Sequence, residues 1–131
     1  MDFIPAPDIK KRISFLVKNL HMDKVDLNRL HFFRSRGSTG RAIARIWSLP
    51  TVWQLALGVG PGYCLEVISE KYDRMSPPDQ EHVLIHELLH IPKNFTGGLV
   101  PHRSAKRRSF RHYHHDVDVL FNSLTVKSYE S

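Results

Sequence analysis

Two histidines and a glutamate stand inside an apolar run at residues 83–92, VLIHELLHIP. Burying ionisable side chains without partners is costly, so His86, Glu87 and His90 need a partner there. In a helix, His86 and His90 are four residues apart and project from one face, one turn apart. This spacing lets both imidazoles bind one zinc ion, while Glu87, rotated by about 100° from His86, lies beside the metal.

The His-Glu-x-x-His pattern is typical of metallopeptidases, in which the glutamate acts as a general base on a zinc-activated water. The chain has nine His and five Glu in 131 residues, so chance predicts about 0.02 matches to this pattern. The alternative interpretation is a pair of surface histidines on an amphipathic helix. The flanking apolar residues argue against an exposed helix: Val83, Leu84, Ile85, Leu88 and Leu89. His82 lies one turn earlier on the same face, and we interpret it as a neighbour of the site or an exposed residue.

A catalytic zinc site has three protein ligands and one open position, so the third ligand must come from elsewhere. Glutamate is disfavoured, because the next one after Glu87 is Glu130, near the end of the sequence. We favour His102, twelve residues after His90 and just beyond Gly97-Gly98, which can fold the chain back over the metal. The alternative donors, which could instead support a ligand or a transition state, are His112, His114, His115, Asp116 and Asp118.

Capping and periodicity predict the helices that position these residues. Residues 7–20 carry apolar side chains at helical spacing, which indicates an amphipathic helix. Ser76 can cap the motif helix, Pro77 suits its first position, and Pro92 stops it, so the helix should run to about Ile91. A last helix is predicted over residues 104–124, whereas residues 51–58 fit either a short helix or a packed loop.

Three segments are predicted to be strands. Residues 30–34 (LHFFR) and 42–47 (AIARIW) flank a run of turn residues, which predicts a hairpin with a long loop. Residues 63–69 (YCLEVIS) combine β-branched and aromatic residues directly after a glycine-rich turn, which is typical of a strand. The order helix, strands, helix, helix predicts an α+β fold.

The composition is that of a small globular domain. The length fits one domain over residues 1–131, and the hydrophobic content of 41% is enough for a core. The single cysteine, Cys64, excludes an internal disulfide and a Cys-rich zinc finger, and it fits a reducing cytoplasm. No apolar run approaches a membrane span, and the N-terminus lacks the pattern of a signal peptide. We therefore expect a cytoplasmic protein without a membrane partner, and its oligomeric state is left open.

The net charge of +6 is concentrated in one part of the chain. Between Leu88 and His115 there is no acidic residue, but there are six basic ones: Lys93, Arg103, Lys106, Arg107, Arg108 and Arg111. Such a block predicts nucleic-acid binding through the segment Arg103–Arg111. The alternative interpretation is a solvated helix face.

Residues 86–102, HELLHIPKNFTGGLVPH, resemble the predicted zinc metallopeptidases of archaea and phages, a branch of the minimal zincins related to SprT-like proteases. The upstream pieces FRSRGSTGRAIARIW and YCLEVISEKYDRMS resemble the same family, so the resemblance covers residues 30–102. It implies a zincin-like fold, in which a small mixed sheet packs against the active-site helix and flanking helices. It also implies Zn²⁺ as the cofactor, Glu87 as the catalytic base, and as the metal ligands His86, His90 and His102.

A zincin-like fold further implies that the strand before the active-site helix lies at a sheet edge. There its free backbone groups can pair with an extended peptide substrate. Glu66 places a charge on one face of the strand at residues 63–69, which also favours an edge over a fully buried position.

The leading hypothesis is a zinc-dependent endopeptidase that acts on protein or peptide substrates. One alternative is a nucleic-acid-associated module with a structural zinc, and another is a zinc nuclease or other zinc hydrolase on the same fold. Glu87 argues against a structural zinc, because such a site has no use for a general base beside the metal.

Overall fold

Residues 2–101 and 116–124 are described by a computed structural model of the chain, and they form a four-stranded sheet with helices packed on it. The strands are β1 (Asp2–Pro5), β2 (Leu30–Arg36), β3 (Ala44–Ser48) and β4 (Tyr63–Ile68). The helices are α1 (Pro7–Asn19), α2 (Thr51–Leu57), α3 (Ser69–Tyr72) and α4 (Pro77–Leu88), with a 3-10 turn at Leu27–Arg29 and a helical segment over residues 116–124. This mixture confirms the predicted α+β class and the small mixed sheet.

β4 is an inner strand of the sheet, whose order is β1-β2-β4-β3. It pairs in parallel with β2 and antiparallel with β3, so it separates these two strands. The predicted hairpin over residues 30–47 is therefore wrong. The physical reason is burial: Leu65 and Val67 of β4 have no exposed surface, and a strand this apolar is best covered between two others.

The prediction that the strand at residues 63–69 lies at a sheet edge is also wrong, because β3 is the edge strand on that side. Glu66, whose charge favoured an edge, is only 1% exposed. Its carboxylate accepts hydrogen bonds from the Ser35 hydroxyl and from the Trp47 indole N–H at 2.9 Å, and Arg45 lies 3.4 Å away. The charge is thus satisfied by neighbouring strands rather than by solvent.

The core holds α1 and α4 against the same sheet. α1 begins at Pro7, as predicted, and buries Ile9 and Ile13 without exposed surface. α4 contributes Leu84 and Leu88 to the same cluster, which also includes the inner-strand residue Leu65. Burying each such side chain contributes about 1.5–3 kcal/mol, so the motif helix is held firmly on the sheet.

α4 begins as predicted and ends slightly earlier. The Ser76 hydroxyl accepts a hydrogen bond from the Asp79 N–H, and Pro77 occupies the first helical position. The regular helix ends at Leu88, three residues before the predicted end. A tighter turn follows the helix, in which the His90 N–H donates a hydrogen bond to the carbonyl oxygen of Glu87, three residues earlier, at 3.1 Å.

The predicted helix at residues 7–20 and strand at residues 63–69 are confirmed, and residues 51–57 form a helix rather than a loop. Residues 116–124 are helical as predicted, while the rest of the predicted 104–124 helix lies outside the described residues. β1 and α3, of four residues each, were not predicted, since elements this short carry no periodic pattern. Within the described residues, no helix has the length and apolar character needed to cross a bilayer.

Candidate active site

The three motif residues lie together at the end of α4. His86 and Glu87 belong to the last turn of the helix, and His90 belongs to the tight turn that follows. The candidate ligand atoms of the three residues lie within 4.8 Å of one another. The ring centroids of His86 and His90 are 5.2 Å apart. Both imidazoles therefore lie on the same side of the chain, as predicted, and the group could hold a metal ion.

The backbone of a later segment orients the His90 imidazole. His90 Nδ1 lies 2.6 Å from the carbonyl oxygen of Val100, and because a carbonyl can only accept, Nδ1 carries the proton and donates it. In the neutral ring, Nε2 is then the nitrogen that can bind a metal, as is usual for a ligating histidine. The Val100 N–H donates in return to the His90 carbonyl oxygen at 2.7 Å. The two residues are thus tied together twice.

The chain returns to His90 through a turn at Gly97-Gly98, as the sequence predicted. Gly97 has a φ of 96°, a backbone conformation that residues with a side chain rarely adopt. A Cβ atom added at this position would lie 2.9 Å from the Gln54 amide nitrogen. Gly98 is different: the nearest atom to an added Cβ, on Thr96, is 3.8 Å away. The turn therefore requires glycine at position 97 rather than at position 98.

Tyr63, on the inner strand β4, holds this turn. Its hydroxyl oxygen accepts a hydrogen bond from the Gly97 N–H at 2.8 Å and donates one to the Gly98 carbonyl oxygen at 2.8 Å. The Phe95 ring packs edge-on against the Tyr63 ring, with centroids 4.9 Å apart. The sequence indicated only a strand residue here, because no local spacing links position 63 to positions more than thirty residues later.

Glu87 is the buried acid of the group, with 7% of its surface exposed. Burial disfavours the charged form and raises the pKa of Glu87 to about 7. A carboxyl group with a pKa near neutrality can take and return a proton at physiological pH, as a general base must. The environment therefore suits the role that the sequence predicted for Glu87.

A cleft of about 520 Å³ opens beside the group. Its walls are the chain that leads into β3, the middle of α4, and the helical segment over residues 116–124. The lining residues are Arg41, Ala42, Ile43, Ala44, His82, Val83, His86, Glu87, Val117 and Asp118. The cleft thus begins at the first residue of the edge strand β3 and reaches Glu87.

His82 takes part in packing rather than in the group of candidate ligands. Its Nε2 lies 3.5 Å from an Asp118 carboxylate oxygen, and its ring stacks on Phe121 with centroids 4.0 Å apart. These contacts tie the helical segment over residues 116–124 to α4, one turn before His86. Of the alternative donors that the structure describes, neither Asp116 nor Asp118 belongs to the group that could hold a metal.

Several predicted residues lie outside the described part of the chain: His102, His112, His114, His115 and the basic segment Arg103–Arg111. The described segment ends at Pro101, directly before the predicted third ligand. Val100, two residues before that ligand, is the residue that bonds the His90 ring. The chain is therefore brought to the candidate site just before position 102.

No curated protein and no solved structure matches the chain. A family model described as "Putative phage metallopeptidase" matches residues 1–122 of the 131 residues. The match includes the His86–Glu87–His90 group and His102, and it confirms the resemblance to phage metallopeptidases. The chain belongs to this phage metallopeptidase family.

Proposed function

We propose that the chain is a zinc-dependent endopeptidase in which His86 and His90 bind the metal and Glu87 is the general base. The observation that carries this proposal is the group of these three residues at the wall of a cleft. The membership in a phage metallopeptidase family supports the same reaction class.

The residues present fit a zinc ion. Imidazole nitrogens are common zinc ligands, whereas Mg²⁺ and Ca²⁺ prefer sites built from oxygen atoms. His90 is 7% exposed, and its Nδ1 proton is held by the Val100 carbonyl oxygen, so Nε2 is the nitrogen that would bind the ion. The candidate ligand atoms of the group lie within 4.8 Å of one another, which suits binding of a single ion.

Bound zinc would polarise the scissile carbonyl and lower the pKa of water toward about 7. The part played by the chain is proton transfer through Glu87. Its carboxylate takes the proton of the attacking water and returns it to the amine nitrogen that leaves. The Glu87 carboxylate lies within 4.8 Å of the candidate ligand atoms of His86 and His90, so the transfer would take place beside the metal.

The edge strand β3 is the element on which a peptide substrate would lie, in place of the inner strand β4. One side of β3 pairs with β4, and no described strand pairs with its other side. An extended peptide added to a free strand edge gains backbone hydrogen bonds. Because Ala44, the first residue of β3, and Glu87 line the same cleft, a peptide at this end of the edge strand would pass close to Glu87.

The third ligand is His102, and His102→Ala should weaken zinc binding by about 10³-fold, as expected for the loss of one of three protein ligands. The supporting observation is the hydrogen bond from His90 Nδ1 to the carbonyl oxygen of Val100, two residues before position 102 in the sequence. Zinc affinity is measured by competition with a chromophoric chelator. The matched controls are His112→Ala, His114→Ala and His115→Ala, which should bind zinc like the parent. Parent-like affinity of His102→Ala would exclude His102 as a ligand.

The proposed function is tested by metal analysis combined with hydrolysis of an unfolded, fluorescently labelled protein. We expect one zinc per chain, loss of hydrolysis on addition of a chelator, and recovery when zinc is restored. A folded protein that takes up no zinc would overturn the site. Zinc uptake without any peptide-bond cleavage would overturn the peptidase assignment and favour a different zinc hydrolase or a nucleic-acid-binding module.

A further inference from the structure

The hydroxyl of Tyr63 begins a chain of hydrogen bonds that ends on the His90 imidazole. Tyr63 is 1% exposed and stands on the inner strand β4. Its hydroxyl bonds the Gly97 N–H and the Gly98 carbonyl oxygen, each at 2.8 Å. Two residues beyond Gly98, the carbonyl oxygen of Val100 accepts the proton of His90 Nδ1 at 2.6 Å.

We propose that Tyr63 is a positioning residue of the metal site: it holds the turn at residues 97–100 so that Val100 fixes the tautomer and orientation of His90. This inference rests on the proposed function, because Tyr63 can position a metal ligand only if His90 binds a metal. The sheet supplies a rigid reference position. His90, in contrast, lies beyond the end of α4 at Leu88 and needs support from outside the helix.

The turn needs this support because its own backbone provides little. Residues 92–101 contain no helix or strand. Gly97 adopts a φ of 96°, and glycine loses more conformational freedom on folding than any other residue. The Tyr63 hydroxyl supplies two hydrogen bonds at the middle of the turn, and the Val100 N–H supplies one at its end. Loss of the hydroxyl removes both bonds at the middle and leaves Val100 less firmly placed.

The expected size of the effect follows from how directly Tyr63 supports His90. Removal of a group that directly supports a ligating histidine weakens metal binding by about 10–100-fold. Tyr63 acts through Val100, one step further away, so Tyr63→Phe should weaken zinc binding about tenfold, at the lower end of that range. The ring itself remains packed on Phe95, so the substitution removes the hydroxyl alone.

Zinc affinity is compared in the parent, Tyr63→Phe and Tyr72→Phe by chelator competition. Tyr72 is a matched control, because it is also 1% exposed and its hydroxyl accepts a hydrogen bond, from Arg12 at 3.0 Å. Both variants therefore lose one buried hydroxyl, but only Tyr63 contacts the turn at residues 97–100 through the bonds described above. Tyr63→Phe should bind zinc about tenfold more weakly than the parent, whereas Tyr72→Phe should bind zinc as tightly as the parent.

A second readout separates positioning from a general loss of stability. In the metal-free protein, ¹⁵N NMR of the His90 ring should show the proton on Nδ1 in the parent and in Tyr72→Phe. In Tyr63→Phe the ring should show a mixture of both tautomers, because the Val100 carbonyl no longer holds the proton in place. A His90 ring that keeps the parent tautomer, together with parent-like zinc affinity, would overturn the inference.

Gly97→Ala tests the same turn should Tyr63→Phe fail to fold. It strains the φ of 96° and brings a Cβ within 2.9 Å of Gln54, so zinc binding should weaken as well. Gly60→Ala is its control, because an added Cβ there meets nothing within 4 Å. If the parent protein binds no zinc, the proposed function is overturned. If the parent binds zinc, and Tyr63→Phe and Gly97→Ala bind it as tightly as their control variants do, this inference alone is overturned.

Discussion

Glu87→Gln is expected to lower the rate of peptide hydrolysis by about 10³-fold while zinc stays bound, since general acid–base catalysis typically contributes 10²–10⁴-fold. Glutamine keeps the size of the side chain and removes the carboxylate that accepts the proton. The side chain is 7% exposed, so no bulk water can easily replace it as the base. His86 and His90 are unchanged, and the ligands that bind the metal therefore remain.

Single-turnover hydrolysis and metal content are measured on the same preparation of Glu87→Gln. Glu81→Gln is the matched control, since it removes a carboxylate from the same helix six residues earlier, away from the three-residue group. The control should cleave the labelled protein at the parent rate. Parent-like cleavage by Glu87→Gln, with zinc bound, would exclude Glu87 as the base.

The same variant has an expected effect on stability in the metal-free state. Burial raises the pKa of Glu87 from 4.5 to about 7, so the folded chain holds this proton more tightly than the unfolded chain. The resulting stabilisation is complete below pH 4.5 and is lost as the pH rises through about 7. Glutamine stays neutral, so at pH 8 Glu87→Gln should be more stable than the parent by about 3 kcal/mol. Urea unfolding in chelator at pH 4 and pH 8 measures this difference, which should nearly vanish at the lower pH.

His90→Ala is expected to lower zinc affinity by about 10³-fold, with loss of hydrolysis at ordinary zinc concentrations. Zinc bound to a folded protein site can contribute on the order of 10–16 kcal/mol, and one of three protein ligands would carry about a third of it. The substitution also removes the hydrogen bond between His90 Nδ1 and the Val100 carbonyl oxygen, together with the proposed ligand nitrogen.

Zinc affinity of this variant is compared with that of His31→Ala by chelator competition. His31 is exposed on β2 and lies outside the three-residue group, so its removal should leave zinc binding unchanged. His86→Ala should behave like His90→Ala, since both imidazoles contribute to one site. Equal zinc affinity of the parent and both of these variants would contradict the proposed metal site.

The candidate site is local in the chain, which is why it could be predicted. His86, Glu87 and His90 span five residues, so the helical repeat predicts both imidazoles on one face, although the regular helix ends at Leu88. The start of the helix was predictable for the same reason, because Ser76 and Pro77 act on the turn that directly follows them. The class of the fold followed from the order of the elements.

The strand order, in contrast, depends on contacts between distant residues. Glu66 looks like an edge residue in the sequence, and only its partners Ser35 and Trp47 on two other strands explain how it is buried. Hairpin pairing of residues 30–47 is the shortest connection, but the burial of β4 between β2 and β3 stabilises a different order. The edge strand on that side of the sheet is consequently β3 rather than β4.

The sequence by itself thus predicted the candidate metal-binding pair, the candidate general base and the helix that precedes the tight turn, because these features depend on residues a few positions apart in the chain. The tertiary structure decided how the site is supported. The Tyr63 hydroxyl bonds the Gly97 N–H, 34 residues later in the chain, and the Val100 carbonyl oxygen bonds the His90 ring, 10 residues earlier. Such contacts leave no periodic pattern in the sequence, since their geometry exists only after the sheet, the motif helix and the glycine turn have packed together.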